Sequence, residues 1–226
     1  MKNKARKYYE AYDERYKTAH SIGVRWSSSE CTPIVMDTIE KFNIKRCDKI
    51  LEIGCGEGRD SRTLLENGYR LNATDVSNEA ILYCKNTMPK YEDSFNILDC
   101  LSDFHDEKYD FIYGIAVIHM LVINDDREKF YNFIKDHLAD DGIALICTMG
   151  DGKVEMKTDI SLAFDLQERN HESGKMMVAA TSCRMVSFRT FEKEIYQSGL
   201  EIIEKGITSA IPDFDKLMYA VVKRNN

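Results

Sequence analysis

The feature that most constrains this chain is a glycine-rich turn that follows a short apolar run. Residues 50–59 read Ile-Leu-Glu-Ile-Gly-Cys-Gly-Glu-Gly-Arg. Gly54, Gly56 and Gly58 come directly after the apolar run, and glycine has no Cβ, so a flat, elongated ligand can lie against the backbone there. Open α/β sheets bind ligands at the carboxyl ends of their strands. The turn therefore predicts an α/β sheet with a ligand site at the tip of its first strand.

Short apolar runs alternate with helical patterns from Cys47 onward, as is typical of a parallel sheet covered by helices on both faces. We predict strands at Lys49–Ile53, Tyr69–Thr74, Ser94–Leu98, Tyr109–Ile115 and Ile143–Thr148. Helices are predicted from the Thr32 cap and Pro33 to about Phe42, from the Ser77 cap to Met88, and from an Asp125–Glu128 capping box onward.

The last part of the chain predicts one helix followed by two strands. The helix covers Phe191–Ser198 and ends at Gly199, and the strands cover Glu201–Ile207 and Leu217–Lys223. Because no helix separates these two strands, we expect an antiparallel pair at one side of the sheet. The predicted fold class is α/β: a doubly wound, mostly parallel, seven-stranded sheet with helices on both faces and a terminal antiparallel strand pair.

The chain length of 226 residues predicts a single domain over residues 1–226 with two additions to the sheet. Residues 1–31 form an N-terminal lid of helix and loop, in which Tyr8, Tyr12 and Tyr16 recur every four residues. This aromatic stripe either packs on the core or lines a ligand site. Residues 151–182 show no strand pattern and one helical pattern around Leu162–Glu168, which predicts an inserted cap.

Composition narrows the class of partner. The 38 acidic and 31 basic residues give a formal net charge of −7, so no net positive field attracts nucleic acid or an anionic membrane surface. The cysteines and histidines show no metal-site spacing, and no metal is predicted. The chain shows neither a signal-peptide pattern nor the run of roughly 20 apolar residues that spans a bilayer. We expect a cytoplasmic protein whose partner is a small molecule; the sequence leaves the oligomeric state open.

Two classes of ligand fit a glycine turn followed by an acid after the next strand. Asp75 ends the second predicted strand, where a carboxylate can accept hydrogen bonds from both hydroxyls of a ribose. A dinucleotide site uses the spacing G-x-G-x-x-G, whereas the third glycine here comes one residue early and Arg59 follows it. Glu52 also precedes the turn, and carboxylates repel a pyrophosphate but suit an ammonium group and a sulfonium. These features favour S-adenosylmethionine over NAD.

At this point the sequence resembles the class I S-adenosylmethionine-dependent methyltransferases. The resemblance rests on the glycine turn with Glu52, on Asp75, on Asp99-Cys100 after the third strand, on the strand opening Tyr109-Asp-Phe-Ile112 and on the terminal antiparallel pair. It covers residues 45–150 well and the tail in outline. The continuation Gly58-Arg-Asp-Ser61 is similar to small-molecule members of the tellurite-resistance and thiopurine type.

The resemblance implies S-adenosyl-L-methionine as cofactor and a role for each motif. The glycine turn, with Glu52, Gly54, Gly56 and Gly58, would hold the methionine part. The next two strand ends would hold the nucleoside, with Asp75 and Val76 at ribose and adenine and Asp99 and Cys100 beside the adenine ring. The backbone of Ile115 and Ala116 would face the sulfonium.

Candidate residues for the methyl acceptor come from three segments. His119 follows the fourth predicted strand and is the candidate general base, although a histidine in so apolar a stretch is also a common structural residue. Trp26 lies in the predicted lid loop and Arg184 lies just beyond the cap, and both are candidate substrate contacts. The sequence leaves open whether oxygen, nitrogen or sulfur is methylated.

The sequence predicts methyl transfer to a small-molecule nucleophile, and it leaves other functions open. The same turn and Asp75 fit an NAD-dependent oxidoreductase. A noncatalytic protein that binds adenosylmethionine fits them as well, and an aminopropyl transferase on the same fold fits less well because its family has a different glycine-rich and acidic pattern.

Overall fold

A computed structural model describes residues 6–171, 173–208 and 216–225. Residues 1–5 of the predicted lid and residue 172 of the predicted cap lie outside these ranges. The strands are β1 (Lys49–Ile53), β2 (Arg70–Asp75), β3 (Phe95–Ile97), β4 (Tyr109–Ile115), β5 (Leu138–Met149), β6 (Met156–Lys157), β7 (Leu166–His171), β8 (Gly174–Ala179), β9 (Arg184–Met185), β10 (Leu200–Thr208) and β11 (Leu217–Arg224).

The described part of the chain builds one seven-stranded sheet with the order β10-β11-β5-β4-β1-β2-β3. Strands β1 to β5 run parallel, whereas β11 pairs antiparallel with both β5 and β10. The chain reverses its direction of winding between β1 and β4, and ligands bind at such a switch point in open α/β sheets. The predicted fold class is confirmed, including the terminal antiparallel pair.

The helices beside this sheet are α1 (Ala11–Ser21), α2 (Pro33–Lys41), α3 (Arg59–Glu66), α4 (Asn78–Thr87), α5 (Asn124–His137) and α6 (Phe188–Gln197). Five of the six helices named here, α2 to α6, cover the two faces of this sheet, and α1 packs on the inserted segment and α4. Side chains alternate between the faces along each strand, so Ile50 packs with Leu64 of α3 on one face, and Leu51 packs with Phe130 of α5 on the other. Each face therefore has its own apolar core.

Most element bounds agree with the predictions, and the differences have local causes. β5 begins at Leu138 rather than Ile143, because Leu138 pairs with Tyr109 of β4. The strand register then shifts, and this irregularity accommodates the polar residues between Leu138 and Ile143. The helix α5 begins at Asn124 and has no side-chain cap, so the predicted Asp125–Glu128 capping box is wrong. Its backbone makes the first turn instead, with the Arg127 amide bound to the Ile123 carbonyl.

The inserted segment differs most from its prediction. The helical pattern around Leu162–Glu168 is wrong, since Leu166–His171 and Gly174–Ala179 form an antiparallel hairpin. This hairpin packs on α1 of the N-terminal segment, where Ala19 contacts the buried side chains of Met176 and Val178. Among the described residues, no helix is long and apolar enough to cross a bilayer.

Candidate active site

The tips of the central strands open into a cavity of about 1250 Å³. The N-terminal segment and the hairpin β7–β8 form its other walls, so it lies between the sheet and the two predicted additions. Of the predicted catalytic, cofactor and substrate residues, those at its wall are Trp26, Glu52, Gly54, Gly56, Asp75, Val76, Asp99, Cys100, Ile115 and His119. The cavity exceeds the range of roughly 300 to 1,000 Å³ that is usual for one ligand, and has room for a cofactor and an acceptor.

The glycine loop passes under the cavity with backbone angles that favour glycine. Gly54, Gly56 and Gly58 have φ values of +73°, +53° and +75°. A Cβ on Gly54 would lie 2.4 Å from the Val117 side chain, and one on Gly56 would lie 2.8 Å from the Tyr16 hydroxyl. Gly54 and Gly56 therefore shape the cavity floor.

The position of Gly58 differs from the one that the resemblance implies, which is contact with the cofactor. It does not line the cavity, and a Cβ there would lie 2.6 Å from Met88 and 2.9 Å from the sulfur of Cys84. The third glycine thus permits close packing of the loop on α4. Its position just before α3 lets that helix begin directly behind the cavity floor.

Asp75 joins the glycine loop to the end of β2. Its carboxylate accepts hydrogen bonds of 2.8 Å from the amides of Gly56 and Ser77, one on each oxygen. Burial raises the pKa of the Asp75 carboxyl, and these two amides oppose that effect. Each oxygen keeps a further lone pair, and the side chain lines the cavity. The geometry is therefore compatible with acceptance of two hydroxyl donors.

Asp99 is held by residues that the sequence analysis did not connect with it. Its carboxylate accepts hydrogen bonds from the Tyr9 hydroxyl at 3.1 Å and the Leu101 amide at 3.0 Å, and it pairs with the Lys7 ammonium. Burial alone raises the pKa of this carboxyl, but hydrogen bonds from Lys7, Leu101 and Ser102 outweigh it and hold the pKa below its ordinary value. Asp99 is thus a charged carboxylate at the cavity wall.

Glu52 contributes less charge to the cavity than its position in the sequence predicts. Burial raises the pKa of the Glu52 carboxyl to about 8, with a further contribution from the nearby Asp60 carboxylate. The Ser61 hydroxyl donates a hydrogen bond to it. Near neutral pH this side chain is mostly protonated, so it adds little negative charge to the cavity, whereas the Asp99 carboxylate is charged.

Arg59 supplies a positive group at the same end of the cavity. Its Nε is buried, donates no hydrogen bond to any described residue and lies 3.7 Å from the Asp60 carboxylate. The guanidinium group lines the cavity beside the glycine loop. A buried donor of this kind calls for an acceptor from a ligand, and a free carboxylate is the acceptor that guanidinium groups prefer.

The chain after β4 approaches the cavity in a strained conformation. Ala116 has a φ of +58°, although it is not a glycine, and its amide is held by the Cys147 carbonyl at 3.0 Å. Strain of this kind persists only where the surrounding structure imposes it, and it is common at ligand sites. The conformation turns the chain so that Ile115, Ala116 and Val117 all border the cavity.

Glu57 fixes the N-terminal lid onto the glycine loop. Its buried carboxylate accepts hydrogen bonds from the Trp26 amide at 2.8 Å and from the Ser27 amide and hydroxyl at 2.7 Å each. His20 bridges the carboxylates of Glu57 and Glu79, at 2.8 Å from each. Glu57 stands within the glycine motif, but nothing in the motif predicts that it holds the N-terminal segment.

His119 lines the cavity in a neutral state. It is buried, and burial together with the charges of Arg127 and Arg15 lowers its pKa from 6.5 to about 4. A neutral imidazole can accept a proton, but a pKa of about 4 makes it a weak base. The position fits the predicted assignment of His119, whereas the pKa excludes it as a strong base.

The two predicted substrate contacts have different positions. The Trp26 ring lies at the cavity wall, stacked on His171 with ring centres 5.5 Å apart. Arg184 is not among the cavity residues. Its guanidinium group donates to the Val122 carbonyl at 2.9 Å and the Asn124 side chain at 2.6 Å, so the structure gives it a role in fixing the start of α5.

Comparisons with known proteins agree with the fold. Residues 51–144 match a family model described as a methyltransferase domain. A probable S-adenosyl-L-methionine-dependent methyltransferase, TehB, of Haemophilus influenzae is 31% identical over 109 residues, which are 46% of this chain and 36% of that protein. The chain thus matches little more than a third of that relative's length.

Two solved structures share the fold. The CcbJ methyltransferase of Streptomyces caelestis superposes with a TM-score of 0.73 at 10% identity, over 98% of this chain and 100% of that one. A 1,6-didemethyltoxoflavin-N1-methyltransferase of Burkholderia thailandensis, with bound 1,6-didemethyltoxoflavin and S-adenosylhomocysteine, gives a TM-score of 0.64 at 12% identity, over 86% of this chain and 77% of that one. At these identities the likeness concerns the fold.

Together, the sheet order, the glycine loop with its partner Asp75 and the match of residues 51–144 to a methyltransferase domain agree with the resemblance to the class I S-adenosylmethionine-dependent methyltransferases. The resemblance found in the sequence is therefore confirmed. The cofactor of this class is S-adenosylmethionine, as the sequence predicted.

Proposed function

We propose that this protein transfers the methyl group of S-adenosylmethionine to a small-molecule nucleophile bound in the same cavity. The observation that carries the proposal is the continuity of one cavity of about 1250 Å³ from the glycine loop to the inserted hairpin. One end is bordered by Asp75 and Asp99, and the other by His119 and the hairpin. Such a cavity holds a cofactor and an acceptor side by side and excludes bulk water.

The residues at the loop end fit the cofactor. Asp75 is assigned to the ribose hydroxyls, and Asp99, Val76 and Cys100 to the adenine side of the nucleoside. Arg59, with its buried Nε, is assigned to the carboxylate of the methionine part. When bound, S-adenosylmethionine supplies a methyl group on a positively charged sulfur, which makes that carbon an electrophile.

The chain's own part in the reaction is to position the acceptor and to keep water out. The Ile115–Val117 backbone closes the cavity at the sheet, and Trp26 closes it from the lid. Met120, Met149 and Met185 give the acceptor end an apolar, adaptable wall. His119 is assigned as an acceptor contact that can take up a proton only weakly. The arrangement therefore favours a nucleophile that reacts without a strong base.

The cavity is covered at its acceptor end, which supports a small acceptor. The N-terminal helix and the hairpin pack on each other through Ala19, Met176 and Val178, so they cover the acceptor end rather than leaving an open groove. The Burkholderia methyltransferase, which shares the fold, was solved with bound 1,6-didemethyltoxoflavin. We assign a small-molecule acceptor on these grounds.

Formation of S-adenosylhomocysteine from S-adenosylmethionine tests this proposal. A panel of small thiols, amines, phenols and organic acids is offered to the protein, and we expect acceptor-dependent product from at least one class. The variant Asp75→Ala should abolish it, whereas Asp37→Ala, at an exposed position on α2, should not. Binding of the cofactor without methyl transfer to any member of the panel contradicts the proposal and favours a noncatalytic binding protein.

A further inference from the structure

Two arginines meet at the acceptor end of the cavity. Arg15 of α1 donates from Nη2 to the Ala180 carbonyl at 2.8 Å, and Arg169 of β7 donates from its own Nη2 to the same oxygen at 3.4 Å. Arg15 also holds the Ala179 carbonyl and the Thr181 hydroxyl. Both guanidinium groups therefore lie within hydrogen-bond distance of one oxygen, and both line the cavity.

Neither of these cations has an acidic partner. Within the described ranges, neither guanidinium group forms an ion pair with a carboxylate, and Arg15 is only 5% exposed whereas Arg169 is exposed. The Arg15 Nε and Nη2 donate to carbonyl and hydroxyl oxygens, which leave the charge uncompensated, and none of these bonds uses Nη1. A buried charge without a counter-charge is costly, and a nearby like charge adds to the cost.

Two acids of the cavity wall, Asp159 and Glu30, form no ion pair with either arginine. Asp159 borders the cavity, but its carboxylate is exposed and accepts hydrogen bonds from the Ser161 amide and hydroxyl at 2.9 and 2.8 Å. Glu30 is also an exposed residue of the cavity wall, and its side chain forms no ion pair with either arginine.

The charges of the two arginines also affect the pKa values of neighbouring groups. Burial lowers the pKa of Arg15, and the charge of Arg169 lowers it further, as expected for two cations held close together. The charge of Arg15 is one of the causes that lower the pKa of His119, after burial and Arg127. The two guanidinium groups thus make the acceptor end electropositive.

We propose that Arg15 and Arg169 form a recognition site for a carboxylate group on the methyl acceptor, which is then a small organic acid. This inference rests on the proposed function and names its substrate class. Guanidinium groups bind a carboxylate through paired hydrogen bonds, and two of them can share its two oxygens. The Arg15 guanidinium also lies over the rings of Tyr12 at 4.7 Å and Trp26 at 4.8 Å, so the carboxylate site adjoins aromatic surface.

Calorimetric titration of the full chain saturated with S-adenosylhomocysteine tests the inference. The probes are benzoate, phenylacetate and cinnamate, each paired with its neutral primary amide. We expect at least one acid to bind at least about 10-fold more tightly than its amide. A difference of this size corresponds to one hydrogen bond to a charged group. The variant Arg169→Gln should weaken binding of that acid by about 10-fold and leave its amide unchanged.

The control is Lys175→Gln, which removes a cation of the same hairpin that pairs with Glu168 and does not line the cavity. It should leave acid binding unchanged. Arg15→Lys keeps the charge but loses the planar guanidinium group, which can donate two parallel hydrogen bonds to a carboxylate. It should weaken acid binding while S-adenosylhomocysteine still binds. Failure of every acid to bind, acids that bind no better than their amides, or undiminished binding to Arg169→Gln overturns the inference. Failure of S-adenosylhomocysteine to bind instead overturns the proposed function.

Discussion

The carboxylate of Glu57 accepts a hydrogen bond from the Trp26 amide at 2.8 Å, which ties the glycine loop to the N-terminal lid. The lid therefore rests on the same loop that is proposed to hold the cofactor. Because both Glu57 oxygens are occupied by lid donors, movement of the lid away from the loop leaves a buried charge without partners. The contact explains why an N-terminal segment outside the sheet is so closely held.

Replacement of this carboxylate by an amide should loosen the lid. In Glu57→Gln one of the two oxygens becomes an NH₂ group, which cannot accept from the Trp26 or Ser27 amide. We expect the free energy of unfolding to fall by roughly 2 to 4 kcal/mol, because charged hydrogen bonds in a buried site are lost. Urea denaturation measures this change, and the fluorescence of Trp26, the only tryptophan in the chain, reports its environment.

Glu66→Gln is the matched control for Glu57→Gln, because its side chain is 57% exposed at the end of α3. It should change the free energy of unfolding by less than about 0.5 kcal/mol. Equal stability of Glu57→Gln and the wild type, with an unchanged Trp26 spectrum, would mean that the lid does not depend on this contact.

The low pKa of His119 predicts a loss of stability in acid. Its pKa is about 4 in the folded protein and has the ordinary value of 6.5 in the unfolded chain, so only the unfolded chain takes up this proton between those values. The free energy of unfolding should fall by up to ~3 kcal/mol as the pH decreases through that window. His119→Gln lacks this component, so its stability should depend less on pH there. Parallel pH profiles for both proteins would contradict a buried neutral His119.

The raised pKa of Glu52 predicts the opposite pH dependence, a loss of stability as the pH rises. Below pH 4.5 the carboxyl is protonated in both states, whereas between 4.5 and about 8 the unfolded chain loses the proton that the folded chain keeps. The stabilising contribution is therefore present below 4.5 and lost as the pH rises to about 8. Glu52→Gln should gain stability relative to the wild type across that window, as measured by urea denaturation. A constant difference at all pH values would show that Glu52 is charged in the folded protein.

How far the sequence predicts the structure depends on how local the determining contacts are. β1 and β4 have the predicted bounds, Lys49–Ile53 and Tyr109–Ile115, because each is a buried strand whose apolar run ends sharply. The Ser77 cap is also as predicted, and its hydroxyl accepts from the Ala80 amide. These features depend on residues close together in the chain.

The hairpin and the arginine pair could not be predicted in the same way. Leu166–His171 is a charged, exposed strand without alternation of apolar residues, and it exists because β8 pairs with it. Arg15 and Arg169 converge only because α1 packs against that hairpin. Contacts between residues so far apart in the chain leave no periodic signal, so the sequence predicts Trp26 and His119 as acceptor contacts but not the pairing of these two arginines.

Thermal unfolding with S-adenosylhomocysteine or NAD tests the central assignment of the cavity most directly. At about a hundred times its dissociation constant a ligand adds ~2.7 kcal/mol of stability, which for this size of chain raises the Tm by roughly 5 to 10 °C. We predict this shift with S-adenosylhomocysteine, none with NAD, and its loss in Asp75→Asn, whose amide cannot accept from both Gly56 and Ser77. A shift with NAD alone, or a full shift with S-adenosylhomocysteine in Asp75→Asn, would contradict the account.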